Sequence, residues 1–564
     1  MPQYIRTSTF HTLTDTERMP AYVGLDGKTV QPGPMTYFDM GFLTPDLNGD
    51  GLADFVMSLS RGVQIDNTTR LGARFFLNDG KGGFTDITAQ VSGATVPLRE
   101  LAGYASGNLD RDALDELMFV GAGPRTTPTG EPITYYDASP GGIVNRSGEL
   151  PDLSATNASA AGVANGSRSV TGYDVTIGDL DADGDNDALV LTHGGPANMQ
   201  PAFILVNDGS GRFTARGSDA LTAFSRQHFG TSGPYNDWYR TALLDANGDG
   251  VLDIVVSIVS REPNGRSSFV ALNDGRGNFS TARTIELPAP LFGKGNTDNR
   301  DVATGDLNGD GLADIVLSQT RIQPFLAGRG VQLLFNDGNG GFSDQSARIT
   351  FTNARPDGSQ TYTDPKQIAL FDFNHDGALD IIERGQNLNG NPAPVNFSVF
   401  LNDGKGNFTE MPRSQFADLT YRQDGIPAGI EPIWGDFNGD RITDFILTSA
   451  SDDGATLTLS MSLYQGITPN AAAPQRTFTD LPAAQTFTGG TDVDTVVYGS
   501  SRADYTLTRT AGGATVAAKS GAQRTDTLVG IERVQFSDAK VALDVNGNAG
   551  MAYRLYQAAF DRTP

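Results

Sequence analysis

The sequence predicts an all-β chain: seven four-stranded blades closed into a β-propeller with calcium-binding loops, followed by a small C-terminal β unit and a terminal helix. Three observations predict it. The acidic stretch DLNGDGLAD at 46–54 is the first of seven related copies, starting at 46, 108, 179, 245, 306, 372 and 436; each copy runs into a short apolar or β-branched stretch; and five copies are followed by a turn of the form NDGxGxF. The spacings are 62, 71, 66, 61, 66 and 64 residues. Four strands in such a span make a blade, and repetition around an axis protects the sheet edges. A linear array of the same sheets would leave seven sets of edges open to pairing with other chains.

Residues 1–34 form an N-terminal extension, polar and rich in proline and glycine, with one alternating run at 7–14 that reads as a strand. The propeller spans 35–481. Each unit opens on a mostly apolar segment such as 40–43 or 241–244, passes through the acidic loop, and emerges into a run such as 55–59, 254–259 or 315–318. Short runs of this kind bounded by turn signals read as strands buried on both faces. The next two strands flank the NDG turns at Asn78, Asn207, Asn273, Asn336 and Asn402, where a positive φ suits Asn and Gly. The second and seventh units have strand-like runs at 133–136, 140–142 and 457–464 without that turn. The ring closes through 7–14, lent to the last blade, or through 476–481, whose RTFTDL echoes a fourth strand.

In an up-and-down blade the first and third connections share one face, so the acidic loops and NDG turns lie together. The long connections at 121–132, 145–169, 215–237, 262–267, 283–297 and 351–364 then share the other face, the usual place for recognition. Residues 482–548 read as a small β unit with alternating strands. Within 549–564, Met551, Leu555, Tyr556, Ala559 and Phe560 fall at helical spacing, and the chain stops directly after them, so it reads as the front part of a longer protein.

The acidic loops carry the chemistry. The first places Asp46, Asn48, Asp50 and Asp54 at loop positions 1, 3, 5 and 9, with Gly51 at position 6 for a sharp turn. Asp245, Asn247, Asp249 and Asp253 repeat it, as do Asp306, Asn308, Asp310 and Asp314, and Asp372, Asn374, Asp376 and Asp380. Asp179, Asp181, Asp183 and Asp187 give an all-aspartate version. Two copies depart from the pattern at position 6: Asn108, Asp110, Asp112 and Glu116 come with Ala113, and Asp436, Asn438, Asp440 and Asp444 with Arg441. At about 4 Å and an effective dielectric near 20, each carboxylate pair repels by roughly 4 kcal/mol, so the loops need a cation. Oxygen donors at alternate positions, with room for six or seven of them, favour calcium over magnesium. Five to seven calcium sites are expected.

The net charge of −25 excludes a phosphate binder with a basic face, so no nucleic acid is expected as a partner. Seven divalent ions would bring that charge to −11. There is no cysteine, hence no disulfide framework and no thiolate metal site. The first residues lack the charged and apolar regions of a cleaved signal, and no run is apolar enough for a membrane span. The chain is therefore cytosolic or exported without such a signal. Extracellular calcium modules bind at roughly 0.1 to 1 mM, which favours the outside.

The DxNGDGxxD loop followed by an apolar strand, repeated seven times, resembles the FG-GAP and VCBS repeats of integrin α-subunit propellers and of many secreted bacterial proteins. That resemblance implies calcium at the Asp, Asn, Asp and Asp positions, with the backbone carbonyl of position 7 as a further ligand: Leu52, Asp185, Val251, Leu312 and Ala378 in the five regular loops. The stretch GIERVQFSDAKVALDVNGNAGMAYRLYQAAFDRTP and the GGTDVDTVV before it resemble the tail of bacterial RTX-like proteins. This implies a secreted or cell-surface bacterial protein using type I export, in which an unfolded chain is passed out and calcium then folds it.

No catalytic motif is visible. His11, His193, His228 and His375 are scattered, there is no HExxH, GxSxG or cysteine nucleophile, and most paired carboxylates are claimed by the loops. The expectation is a binding protein, not an enzyme, with a cell-surface or matrix protein or a glycan as its partner. A lectin-like module and a calcium-dependent polysaccharide lyase or hydrolase are the alternatives. The candidate recognition residues are Arg226, His228, Tyr235 and Trp238 in FSRQHFGTSGPYNDWYR, whose aromatic and charged groups suit a sugar ring. Asp174 and Asp301, each five residues before an acidic loop, either face the mouth of a central channel or simply begin a strand.

Overall fold

The computed structural model describes residues 3–15, 18–19, 22–23, 29–30, 33–34, 37–63, 66–92, 101–112, 114–121, 131–151, 169–170, 172–192, 202–216, 236–260, 267–322, 329–352, 364–374, 376–386, 397–412, 433–438, 440, 442–452, 457–467, 477–479, 486–488, 495–510, 513–519, 525–529, 531 and 533–543. These residues are almost entirely β-structure and divide into two compact units, Pro2–Gly466 and Ile467–Pro564.

The first unit repeats one antiparallel sheet. In sheet one the order is Tyr37–Leu43, Phe55–Val63, Asp66–Asn78 and Phe84–Asp86, each strand beside the next. The acidic loop joins the first two strands and the NDG turn the last two, as the sequence predicts. Sheets two to six keep this order, each with its second strand in the middle: Glu116–Gly121, Asp187–Thr192, Asp253–Ser260, Asp314–Arg321 and Asp380–Gln386. Sheets four and five also join at Val259↔Asp298 and Ser260↔Thr297. Sheet seven has Ile433–Gly435, Asp444–Asp452 and Leu457–Ile467, and its fourth strand is Gln3–Asp15. Of the two predicted edge strands, the N-terminal one occupies this place.

The second strands are buried on both faces because each sheet packs against two others. Val56 and Phe75 of sheet one meet Leu117 and Tyr136 of sheet two, and Val120 and Tyr135 of sheet two meet Val190 and Phe203 of sheet three. Comparable cores join sheets three to four, four to five, five to six and six to seven. A further core sets Phe55 and Met57 of sheet one against Ile446, Met461 and Leu463 of sheet seven. Each such side chain contributes about 1.5–3 kcal/mol on burial, so the sheets are held by their neighbours.

The first strands come closest together. A Cβ added at Gly103 would lie 2.5 Å from the Cα of Asp174 on the next sheet. Gly103→Ala therefore forces two backbones apart and is expected to cost about 1–3 kcal/mol. The urea midpoint measures it, and an unchanged midpoint would show that the two strands separate freely.

The second unit is built differently. Thr477–Thr479, Thr495–Val497 and Arg533–Gln535 pair in parallel, with Lys540–Ala542 antiparallel at the edge. Thr486–Thr488 runs parallel to Thr525–Val529, which continues into Gly513–Ala518 and Tyr505–Thr510. Phe487, Val496, Tyr498, Leu528 and Phe536 share its core. Residues 477–479, within the alternative closing segment 476–481, pair inside this unit, and the compact division falls at Gly466 where the sequence placed a boundary at 481. The helix expected within 549–564 lies outside the described residues.

Candidate functional site

Each acidic loop is shaped by its own side chains. Asp46 accepts the N–H of Gly49 on Oδ1 (2.7 Å) and of Gly51 on Oδ2 (2.9 Å), Asn48 Oδ1 accepts that of Asp50 (3.0 Å), and Asp50 Oδ1 that of Leu52 (2.9 Å). The turn requires positive φ at Gly49 (74°) and Gly51 (79°). Asp306 repeats the bonds with Gly309 and Gly311, and Asp245 with Gly248 and Gly250. In the second and third loops Arg111 (67°) and Ala182 (60°) take the left-handed conformation that glycine fills elsewhere. A carboxylate has about four acceptor sites, and Asp46 takes two N–H groups on Oδ1 and one on Oδ2, which leaves capacity for a cation.

The position-9 carboxylates, Asp54, Glu116, Asp187, Asp253, Asp314, Asp380 and Asp444, are all fully buried. Six of them join three parts of a unit. Asp314 Oδ2 accepts the N–H of Leu307 at loop position 2 (3.0 Å) and Oδ1 that of Asn336 at the end of the third strand (2.9 Å). Asp54, Asp187, Asp253, Asp380 and Asp444 do the same within their own units. Burial, helped by the other loop carboxylates and opposed by the two N–H donors, pushes Asp54, Asp187, Asp253 and Asp314 up to about 6 and Asp380 and Asp444 up to about 7. A carboxyl raised on folding takes up protons, so its contribution is fully present below about pH 4 and is lost as pH rises through about 6 to 7. The calcium-free chain is expected to lose stability across that window, and added calcium to raise the thermal midpoint more at neutral pH than near pH 5. A calcium increment independent of pH would contradict this.

The Asn of each NDG turn does more than the sequence showed. None of these Asn residues has positive φ; the glycines after them do, at Gly80, Gly209, Gly275, Gly338 and Gly404. The Asn side chains are buried, and those of Asn207, Asn273, Asn336 and Asn402 tie neighbouring sheets together. Asn273 Nδ2 donates to Leu252 O in its own acidic loop (3.0 Å) and to Leu180 O in the loop of sheet three (2.7 Å). Asn402 bridges Leu379 and Leu307 likewise, and Asn336 bridges Ala313 and Asp245. Acidic loops and turns therefore share one face, as predicted.

Among the described residues, two groups of carboxylate oxygens lie within 4.8 Å of one another: Asp110, Asp112 and Glu116, and Asp179, Asp181 and Asp187. These adjacent loops are joined by an Arg111–Asp185 ion pair and by Asn186 Nδ2 donating to Asn108 O (2.9 Å). The second loop, which lacks the turn glycine, nonetheless gathers its carboxylates.

A second polar locus sits where the first strands converge. Each first strand of sheets one to six has an irregularity just before the residue five positions ahead of its loop, namely Gly41, Gly103, Asp174, Arg240, Asp301 and Gln367. Such bulges re-aim side chains. Asp174 Oδ2 accepts from Thr241 N (2.9 Å) and its Oδ1 lies 3.6 Å from Arg240 Nη1. Asp301 Oδ2 accepts from Ile368 N (2.8 Å), and Gln367 of sheet six donates to the Tyr104 hydroxyl of sheet two. Burial pushes Asp301 up to about 7, opposed by Arg240 and the Ile368 N–H and helped by Asp174. The sequence singled out Asp174 and Asp301; Arg240 and Gln367 were legible only as members of the same column once the repeat register was fixed, and Tyr104 stands one position beyond it.

Of the predicted recognition residues, Arg226, His228 and Tyr235 lie outside the described residues. Trp238 belongs to Asn236–Leu244, paired with Ile258, and its side chain lies outside them too. No described helix is long and apolar enough to cross a membrane.

Residues 245–317 match the FG-GAP-like repeat family, from the fourth acidic loop into the strand after the fifth. No curated protein matches the chain. Among solved structures, the exotype rhamnogalacturonan lyase YesX is 12% identical over 93% of this chain and 68% of its own, at a TM-score of 0.28. The V. cholerae biofilm matrix protein Bap1 is 12% identical over 83% and 92%, at 0.33, and the exo-β-1,3-galactanase of Phanerochaete chrysosporium 9% identical over 55% and 60%, at 0.31.

Proposed function

We propose that residues 35–481, with the strand lent by 1–34, form a closed seven-bladed propeller whose acidic loops hold five to seven calcium ions, and that it serves as a secreted or surface binding protein. The observation that carries this reading is the repeated position-9 carboxylate: buried seven times beside further carboxylates, it is a charge that a cation would compensate. Packing of sheet seven against sheet one and the place of Gln3–Asp15 support closure. The donor set fits a hard cation, being oxygen throughout, and Glu116 Oε1 is buried without a hydrogen-bond partner. Loop positions 1, 3, 5 and 9 would hold the ion, which would supply charge compensation; the residues themselves set the turn and carry the latch to the next sheet. In this reading residues 482–548 and 549–564 belong to an RTX-like region suited to type I export.

The partner in this reading is a matrix or cell-surface protein or glycan, met on the face opposite the acidic loops. A glycan array probed with calcium present tests it: binding that survives Asp301→Asn but falls in Trp238→Ala supports that face, and an empty array removes glycans as the partner. One observation favours a second reading. Asp301, poised near neutral beside Asp174 and Arg240, has the environment of a general acid or base. Incubation with acidic polysaccharides, followed by the absorbance of unsaturated products, decides it: product from wild type and none from Asp301→Asn would make the chain an enzyme.

A further inference from the structure

We propose that the junction between sheets one and two is a docking pocket for a basic, apolar segment of a partner protein, with an apolar side chain seated in the pocket and a lysine or arginine beside Asp112. The pocket opens where the repeat breaks. The residue after position 9 pairs with Phe76, Tyr136, Leu205, Ala271, Leu334 and Phe400 in sheets one to six. Two residues further on stand Asn78, Ala138, Asn207, Asn273, Asn336 and Asn402, so sheet two has alanine at the latch position. Its turn is also one residue shorter, running from Ala138 to Ile143 where that of sheet three runs from Asn207 to Phe213. Elsewhere the turn covers the sheet before it. A Cβ at Gly211 of sheet three would lie 2.6 Å from the Tyr135 hydroxyl of sheet two, one at Gly340 of sheet five 3.1 Å from Ile285 Cδ1 of sheet four, and one at Gly406 of sheet six would strike the Phe335 ring of sheet five. In the turn of sheet two, a Cβ at Gly142 would meet nothing within 4 Å and one at Gly141 only Ser139 of the same turn. That turn does not reach sheet one, and Leu77, at the register of Phe335, is left uncovered by it.

The resulting pocket has a volume of about 460 Å³, within the range of ligand sites. Its apolar lining comes from both sheets: Leu47, Leu77, Ile87 and Val91 on one side, Leu114 and Ile143 on the other. The junction itself is firm. Asp115 N donates to Asp46 O (3.1 Å) and Asp115 Oδ2 accepts the Asp46 N–H (3.2 Å), which joins the two acidic loops in place of an Asn latch. An apolar side chain can therefore be buried there without the sheets first being opened. The rim sets the charge of the partner. Its polar groups are Asn48, Gln90, Ser139 and Asp112, and none of the described lining residues is basic. Asp112 has the carboxylates of Asp110 and Glu116 gathered beside it. With seven divalent ions bound the chain still carries −11, so a cationic group is attracted whether or not the loops are filled. An apolar floor beside an acidic rim complements a segment that carries leucine-like and lysine-like side chains together.

The test uses the full chain in millimolar calcium and a fluorescein-labelled peptide of alternating leucine and lysine, read by anisotropy beside the same peptide with glutamate for lysine. The lysine peptide is expected to bind and the glutamate peptide to fail. Leu77→Phe puts the residue type of sheet five into the pocket, and replacing Ala138–Gly142 by the turn sequence of 336–341 restores the cover; each is expected to weaken binding by about 10-fold or more. Gln90→Lys, on the exposed rim, is expected to weaken it by about 10-fold through like charge, and more at low salt. Binding unchanged in all three variants would mean that the peptide is held elsewhere by the general negative charge, and would overturn the proposal. Equal binding of the two peptides, or binding of neither, would overturn it as well. The altered residues lie outside loop positions 1, 3, 5 and 9, so an unchanged calcium count serves as the control for folding. This pocket is on the acidic-loop face, apart from the opposite face proposed above for the partner, so a negative result leaves the ion count and the glycan array as they stand.

Discussion

Chain stripped of calcium is expected to unfold at a far lower temperature than chain in saturating calcium. A ligand bound only to the folded state stabilises by about 2.7 kcal/mol per site at a 100-fold excess over Kd, so five independent sites would supply on the order of 10 kcal/mol, as much as a typical domain has in total. The loops lie where sheets meet, so the loss is not local. Each latch such as Asn273 spans its own loop and the one before, and a loop that loosens releases the neighbour's turn as well. Thermal unfolding with calcium and with a chelator measures the effect. A midpoint unmoved by the chelator would mean that loop hydrogen bonds alone hold the sheets.

Asp314→Ala is expected to be the most damaging single change in a regular loop, and to be damaging even without calcium. The carboxylate is fully buried and receives the N–H groups of Leu307 and Asn336. Removing it strands both donors, at roughly 1–3 kcal/mol each, for a total of about 2–6 kcal/mol. Asp314→Asn keeps one acceptor and should lose about half as much in the chelated protein, while in calcium both variants also lose a ligand. Urea unfolding of the two variants with and without calcium separates these contributions. An Asp314→Ala chain as stable as wild type after chelation would show that position 9 serves the cation alone.

The repeat made most of the first unit legible. A fixed nonapeptide between an apolar segment and a β-branched run left few choices for where the strands begin, and Phe55, Ile254 and Ile315 fall in central strands. The loop pattern likewise marked position 9, though it could not say that this carboxylate also holds two backbone N–H groups, because the donor from the third strand is about 20 residues away and sequence spacing does not encode that approach. The Asn latch was hidden by a competing explanation: Asn-Asp-Gly is a good turn on local grounds, so its cross-sheet role left no separate trace. The parallel pairing of 477–479 with 495–497 was missed because short threonine-rich runs alternate alike in parallel and antiparallel sheets.

The most direct measurement is the number of calcium ions bound per folded chain, counted by elemental analysis after dialysis against millimolar calcium. Five to seven ions are expected, falling by one in Asp306→Asn; a chain that folds, keeps its β signature and carries no calcium would contradict the assignment of the acidic loops.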